Sequence, residues 1–192
     1  MKVSPHPDLP EVLVVDVRVF RDGRGSFREL FHEARYAEAG VTGPFVQDNL
    51  SVSTRGVLRG LHLQNPRAQG KLVTVLEGAV FDVAVDVRRG SPTFGRWAGV
   101  ELTEENARQL WVPPGFAHGF LVLTDRTLFS YKCTELYSPA DEFGVRWDDP
   151  DIGIRWPADA PQLSAKDAAA PLLRDVPAER LPTYPVGVGE AR

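Results

Sequence analysis

Three segments of the 192-residue chain set polar side chains able to move protons inside runs of apolar residues. In Val57-Leu-Arg-Gly-Leu-His-Leu-Gln64, His62 lies between two leucines, with Arg59 just before it and Lys71 nine residues on. A neutral imidazole is the natural general base near pH 7. A core histidine with a satisfied hydrogen bond fits the same spacing. Arg59 and His62 face opposite sides of a regular strand, and a bulge at Gly60 is what can turn both into one pocket. In Trp111-Val-Pro-Pro-Gly-Phe-Ala-His-Gly-Phe120, His118 follows a Pro-Gly turn and opens a strand. In Phe129-Ser-Tyr-Lys-Cys-Thr-Glu-Leu-Tyr137, followed by Pro139 and Glu142, the alternation puts Phe129, Tyr131 and Cys133 on one face. Tyr131 is either a core residue with a bonded hydroxyl or an acid. Ser164-Ala-Lys-Asp167 fits a capping box, so Asp167 can cap a helix, orient an imidazole, or do both. Arg24, between Gly23 and Gly25, is a solvated loop residue or a phosphate ligand; flanking glycines let the backbone come close while the guanidinium forks onto oxygens.

The elements that must position these residues are mostly strands. The chain's 17 Gly and 16 Pro punctuate short segments rich in Val, Leu and Phe, which favours an all-β sandwich or barrel. Strands are expected at 12–20, 45–53, 57–63, 72–77, 79–87, 97–102, 109–112, 119–123 and 128–134. Over Phe45–Ser53 the alternation is clean: Phe45, Gln47, Asn49 and Ser51 on one face, Val46, Asp48, Leu50 and Val52 on the other. Short helices are expected from Glu33 to Ala39, ended by Gly40, and from Ser164. A jelly roll fits this strand count, and its mouth can hold a small ligand. The stretch after Asp175 has little periodicity and is expected to be loosely held.

The length suits one domain spanning 1–192. Hydrophobic residues at 43% and charged residues at 25% are those of a globular chain, not a disordered one. A net charge of -4 argues against nucleic acid or an anionic membrane as partner, so any anion site must be local. The single cysteine, Cys133, forbids an internal disulfide, and no C-x-x-C pair offers a structural zinc site. The N-terminal MKVSPHPDLP lacks the apolar run of a secretory signal, and no stretch approaches the ~18 apolar residues of a membrane span. The expected setting is cytoplasmic.

Taken together, the motifs resemble one family, the dTDP-4-dehydrorhamnose 3,5-epimerases. The matching stretches are Phe45-Val-Gln-Asp-Asn49, Val57-Leu-Arg-Gly-Leu-His62, Lys71, Phe81-Asp-Val-Ala-Val-Asp-Val-Arg88, Ser91-Pro-Thr-Phe-Gly95, Pro114-Gly-Phe-Ala-His-Gly-Phe120, Tyr131-Lys132, Tyr137-Ser-Pro139, Glu142 and Leu163-Ser-Ala-Lys-Asp167. They follow the family's order over about 12–173. The resemblance implies a cupin-type jelly roll, a homodimer, no cofactor and no metal. It implies a thymidine-diphosphate 4-keto-6-deoxy sugar as substrate, inverted at carbons 3 and 5. It makes His62 the base, oriented by Asp167, Lys71 the group that stabilises the enolate, and Tyr131 the acid on the opposite ring face. His118 would line the same pocket. Arg24, Glu29, Gln47, Asn49, Arg59, Glu142 and Lys166 would hold the nucleotide or the sugar, with Tyr137 beside the nucleotide. Relatives often carry two adjacent aromatics there; here Leu136 precedes Tyr137, which weakens the case for stacking.

The chemistry suits these residue types. A ketone at carbon 4 acidifies the hydrogens on carbons 3 and 5, so one base and one acid across the ring suffice. No redox change occurs, and no G-x-G-x-x-G strand-helix signature is present. Three other readings compete. An epimerase of an antibiotic deoxysugar pathway inverts only one centre. A metal-dependent cupin shares the Pro-x-Gly-x-x-His turn but usually carries His-x-His where this chain has His62-Leu-Gln64, and glutamine is a poor ligand. A non-catalytic sugar-nucleotide binding protein is expected to have lost the base, its partner or the acid.

Overall fold

The computed structural model describes residues 1–184. In chain order these form β1 (Lys2–Pro5), β2 (Leu13–Asp16), β3 (Val19–Asp22), β4 (Gly25–Arg28), α1 (Glu33–Glu38), β5 (Gln47–Ser53), β6 (Leu58–Gln64), β7 (Lys71–Glu77) and β8 (Ala79–Asp86). They continue with β9 (Trp97–Thr103), β10 (Arg108–Val112), β11 (Phe116–Val122), β12 (Thr127–Cys133), β13 (Glu142–Gly144), α2 (Ala165–Ala168) and a 3-10 turn at Leu173–Asp175. One sheet runs β1-β2-β10-β7-β12-β5, the other β13-β6-β11-β8-β9, and β3-β4 is a separate hairpin. The fold is the expected all-β, cupin-type jelly roll.

Three apolar clusters hold it together. Val73, Val75, Phe129, Leu110 and Val112 of the first sheet meet Val80, Ala84, Leu102, Phe116 and Phe120 of the second. Behind the second sheet, Leu61, Val83, Val85 and Ala117 are covered by Phe143, Val145, Ile152, Leu173, Val176 and Leu181. Behind the first, Val15, Leu72 and Trp111 are covered by Tyr36 and Val41. Sheets buried on both faces read as continuous apolar runs, as β8 does.

Some boundaries differ from expectation. The run 12–20 is not one strand: β2 stays in the sheet between β1 and β10, whereas β3 leaves it to pair with β4. β11 starts at Phe116, before the expected Gly119, because the Pro-Gly turn delivers the chain straight onto β8 at Asp86. β1, the β3-β4 hairpin and β13 have no strong periodicity and were not expected. The helices are short. Ser164 caps α2 by accepting from Asp167 N at 3.1 Å, as the capping box requires.

The expectation of a loosely held tail is corrected for residues 176–184. Val176 and Leu181 are buried, Arg89 N donates to Pro182 O at 2.8 Å, and Tyr184 N donates to Arg89 O at 2.9 Å. Residues 185–192 lie outside the described residues. The Arg88 guanidinium, 4.9 Å from the centre of the Tyr184 ring and 4.3 Å from that of Phe116, anchors this segment. It donates to Asp86 and Glu11, and Asp86 also accepts from Ser91 and Thr93. Asp86 and Arg88 of the Phe81–Arg88 motif and Ser91 and Thr93 of the Ser91–Gly95 motif are thus read as architecture.

Candidate active site

The mouth of the sandwich holds a cavity of about 520 Å³, adjoined by a smaller one of about 290 Å³. His62, Lys71 and Tyr131 line both. The lining comes from both sheets. Arg59 and His62 sit on β6, His118 on β11 and Glu142 on β13; Lys71 sits on β7, Tyr131 on β12, Gln47 and Asn49 on β5. His62 and Tyr131 therefore approach from opposing walls. His118 is directly opposite His62 in the β11-β6 ladder, and Tyr131 is opposite Asn49 in the β12-β5 ladder.

Gly60 supplies the expected irregularity. The β6-β11 register shifts between His118 and Phe120, and Gly60 has φ +126°, a conformation L side chains rarely adopt. A Cβ there would lie 2.5 Å from Gly119 Cα. The shift lets Arg59 and His62 line the same cavity despite their odd spacing.

Two imidazole–carboxylate pairs stand in the site. His62 Nε2 lies 2.5 Å from Asp167 Oδ1, and Asp167 Oδ2 accepts from the Ser164 hydroxyl at 2.9 Å. Asp167 thus caps α2 and orients His62 at once. Its burial works to raise the carboxyl's pKa, but the hydrogen bond and charge of His62, with Ser164 and Lys166, outweigh it and hold the acid below its ordinary value. A carboxylate accepting at Nε2 keeps the proton there and leaves Nδ1 as the basic nitrogen. The second pair is His118 with Asp82, whose oxygens lie 3.0 and 3.1 Å from Nε2. Both are buried, and burial pushes the Asp82 carboxyl up against the pull of His118 and Lys71. The sequence reading missed Asp82 as a site residue. Its signal was a lone acid in the apolar run Val80–Val85.

Lys71 is buried, and desolvation lowers its pKa, opposed by Cys133, Glu142 and Asp82. Tyr131 is shifted the other way: burial raises its phenol, so it stays protonated well above neutrality. Burial also works to raise Glu142, but hydrogen bonds from Lys166 and Tyr137 hold it below its ordinary value. Tyr137 Oη donates to Glu142 Oε2 at 2.9 Å, and Gln47 Oε1 accepts from Tyr137 N at 2.9 Å. Gln47 Nε2 also donates to Asn49 Oδ1 at 3.0 Å.

The fold thus brings His62, Lys71, Tyr131, Asp167, Arg59, His118, Lys166, Gln47, Asn49, Tyr137 and Glu142 around the two cavities. It does not bring Arg24 or Glu29 to them within one chain. Arg24 is at the exposed tip of the β3-β4 hairpin, donating to Asp22, and Glu29 pairs with Arg35. Gln64 turns away from any metal-ligand role: its Oε1 accepts from Ser138 N and its Nε2 donates to the carbonyls of Arg67 and Leu136. Among the described residues no three His, Cys, Asp or Glu side chains are grouped to hold a metal ion, and no helix is long and apolar enough to cross a membrane.

The sequence profile described as dTDP-4-dehydrorhamnose 3,5-epimerase matches residues 6–175. The chain is 54% identical over 168 residues to dTDP-4-dehydrorhamnose 3,5-epimerase of Salmonella typhimurium, covering 86% of this chain and 92% of that protein. It is similar to the crystal structure of dTDP-6-deoxy-D-glucose-3,5-epimerase from Legionella pneumophila in complex with dTDP-4-keto-L-rhamnose, at TM-score 0.93 and 51% identity, covering 96% of this chain and 99% of that one. It is also similar, at TM-score 0.86 and 40% identity, to a 3'-monoepimerase from Streptomyces bikiniensis in complex with dTDP-quinovose, covering 94% of this chain and 93% of that one. With a profile match over most of its length and relatives at this identity, the chain belongs to the dTDP-4-dehydrorhamnose 3,5-epimerase family.

Proposed function

We propose that this chain inverts carbons 3 and 5 of dTDP-4-dehydro-6-deoxy-D-glucose, giving dTDP-4-dehydro-L-rhamnose, with no change in redox state. The observation that carries the mechanism is the pairing of His62 with Asp167 on one wall of a cavity whose other wall presents Lys71 and Tyr131.

His62 Nδ1 takes the proton from the carbon beside the ketone. The electron pair of that C–H bond moves into an enolate, and the carbonyl oxygen takes the charge. Lys71 faces that oxygen with an ammonium in a desolvated setting, where one such donor is worth about 3–4 kcal/mol. Asp167 stabilises the imidazolium that forms. Tyr131 then gives its proton to the same carbon from the opposite face, which inverts the centre. The proton on His62 and the phenolate of Tyr131 are reset through solvent, and the second carbon repeats the cycle. His118, held by Asp82, lines the floor, and Arg59 and Lys166 supply cationic groups for the diphosphate. Gln47, Asn49, Tyr137 and Glu142 form the rest of the binding surface.

The site is completed by a second copy of the chain. The outward face of the edge strand β5 carries exposed Leu50 and Val52, with Val46 just before it, and the β3-β4 hairpin carries exposed Phe20 and Phe27. An edge strand that is apolar on its outer face is a surface that natural proteins cover. The same hairpin holds Arg24, with Glu29 just beyond it, so a homodimer through this region delivers both to the partner's cavity. A cytoplasmic setting is consistent with the free, buried Cys133 thiol.

The test is incubation with dTDP-4-keto-6-deoxy-D-glucose in heavy water, followed by proton NMR. Deuterium at both carbons with inversion at both supports the reading. Inversion confined to one centre makes the protein a single-centre epimerase, and no exchange at either rejects it.

A further inference from the structure

β5 turns its polar side chains inward and its apolar ones outward. Three of the four inward residues have partners. Gln47 accepts from Tyr137 N at 2.9 Å, Asn49 Nδ2 donates to Cys133 Sγ at 3.6 Å, and Ser53 Oγ accepts from Arg59 Nε and Nη2 at 3.2 and 3.1 Å. Ser51 is the exception. Its Oγ is shielded from solvent and has no protein partner, the one such side-chain nitrogen or oxygen among the described residues. It lines the larger cavity. A buried hydroxyl without a partner is costly, and in a binding cavity that cost is recovered when a ligand supplies the missing atom.

Position along the strand says which part of the ligand that is. Ser51 is one pleat, about 6.6 Å, from Asn49, the residue opposite Tyr131. It is one pleat the other way from Ser53, which holds Arg59. Its hydroxyl thus stands between the acid that faces the sugar ring and the arginine that faces the diphosphate. In a nucleotide sugar, the atoms between ring and diphosphate charge are the anomeric oxygen and the phosphate attached to it. We propose that Ser51 Oγ–H donates to a non-bridging oxygen of this sugar-proximal phosphate and so sets how deep the ring sits between His62 and Tyr131. This rests on the nucleotide-sugar reading above.

The experiment compares the parent with Ser51→Ala. Calorimetry measures binding of dTDP, which has the second phosphate, and of thymidine monophosphate, which lacks it. Because the hydroxyl has no protein partner to lose, the variant's melting temperature is expected to equal or exceed the parent's. Its affinity for dTDP is expected to fall about tenfold, the worth of one hydrogen bond to a charged group. Its affinity for thymidine monophosphate is expected to stay at the parent's value, and the loss with the full substrate to fall on KM more than on kcat. Unchanged dTDP affinity overturns the proposal. Equal loss for both nucleotides with a lowered melting temperature also overturns it and makes Ser51 a packing residue. A parent that neither binds dTDP nor turns over substrate rejects the nucleotide-sugar reading itself, and this inference with it.

Discussion

At the scale of single residues, the proposed mechanism divides the work between a base, His62, whose partner is a carboxylate, and an acid, Tyr131, whose phenol burial shifts upward. His62→Ala and Tyr131→Phe are therefore expected to fail differently. Removing the imidazole deletes the base for both carbons, so deuterium exchange at carbons 3 and 5 is expected to drop about 10²–10⁴-fold while the fold persists. Exchange within tenfold of the parent would sink the assignment. Tyr131→Phe removes one hydroxyl and keeps the ring. It is expected to leave proton abstraction running and to cripple inversion, most severely at carbon 5, as NMR of exchange and stereochemistry on the same sample would reveal. The pH profile separates Lys71 from Tyr131. Burial moves the lysine below its ordinary value of about 10.4 and the phenol above its ordinary value of about 10. The proposed enolate role requires Lys71 as the ammonium, so exchange is expected to decline on the alkaline side at a pH below about 10.4. That limb is expected to persist in Tyr131→Phe; its disappearance would transfer the titration to the phenol.

At the scale of elements, β6 is the piece on which the site turns. Its bulge at Gly60 is what converts an odd residue spacing into two side chains in one cavity. Gly60→Ala adds a Cβ 2.5 Å from Gly119 Cα at a backbone conformation glycine alone adopts easily. We expect a loss of about 3 kcal/mol in urea unfolding together with weaker nucleotide binding, because β6 can relieve the clash only by moving Arg59 and His62. Parent-like stability and binding would mean that the bulge does not position the site. The interior ladder of β6 was legible as alternation around His62. The bulge was legible only as a glycine between two residues that needed the same side.

At the scale of the whole molecule, Arg24 and Glu29 lie outside their own chain's cavity, exposed Leu50 and Val52 lie on the edge strand β5, and exposed Phe20 and Phe27 lie on the hairpin that carries Arg24. The protein is expected to run in light scattering at twice its 21.2 kDa chain mass. A monomer at micromolar concentration would contradict this. Mixing Arg24→Ala with His62→Ala, each impaired alone, is expected to restore part of the activity at limiting substrate. Mixed dimers then hold one site with both groups intact. No recovery after subunit exchange would place Arg24 outside the partner's site.

The sequence by itself determined which chemistry was possible and on what scaffold. Residue types, strand periods and motif order were enough for a jelly roll and for the family, and the resemblance singled out His62, Lys71, Tyr131 and Asp167, which the fold gathers around one cavity. Through-space partnership was decided by the tertiary structure. His62 and Asp167 are 105 residues apart, and only the docking of α2 over β6 makes the carboxylate both cap and orienter. His118 found Asp82 because β11 pairs with β8, a contact no local spacing announces. The alternation over 45–53 identified two faces but not which one looked inward. The usual preference would bury Val46, Leu50 and Val52. In the fold the polar set lines the cavity, where a ligand can satisfy it, and the apolar set faces out. A period of two is a property of the backbone alone, whereas the choice between its faces depends on what the opposite sheet, the ligand and a partner chain bring to each side.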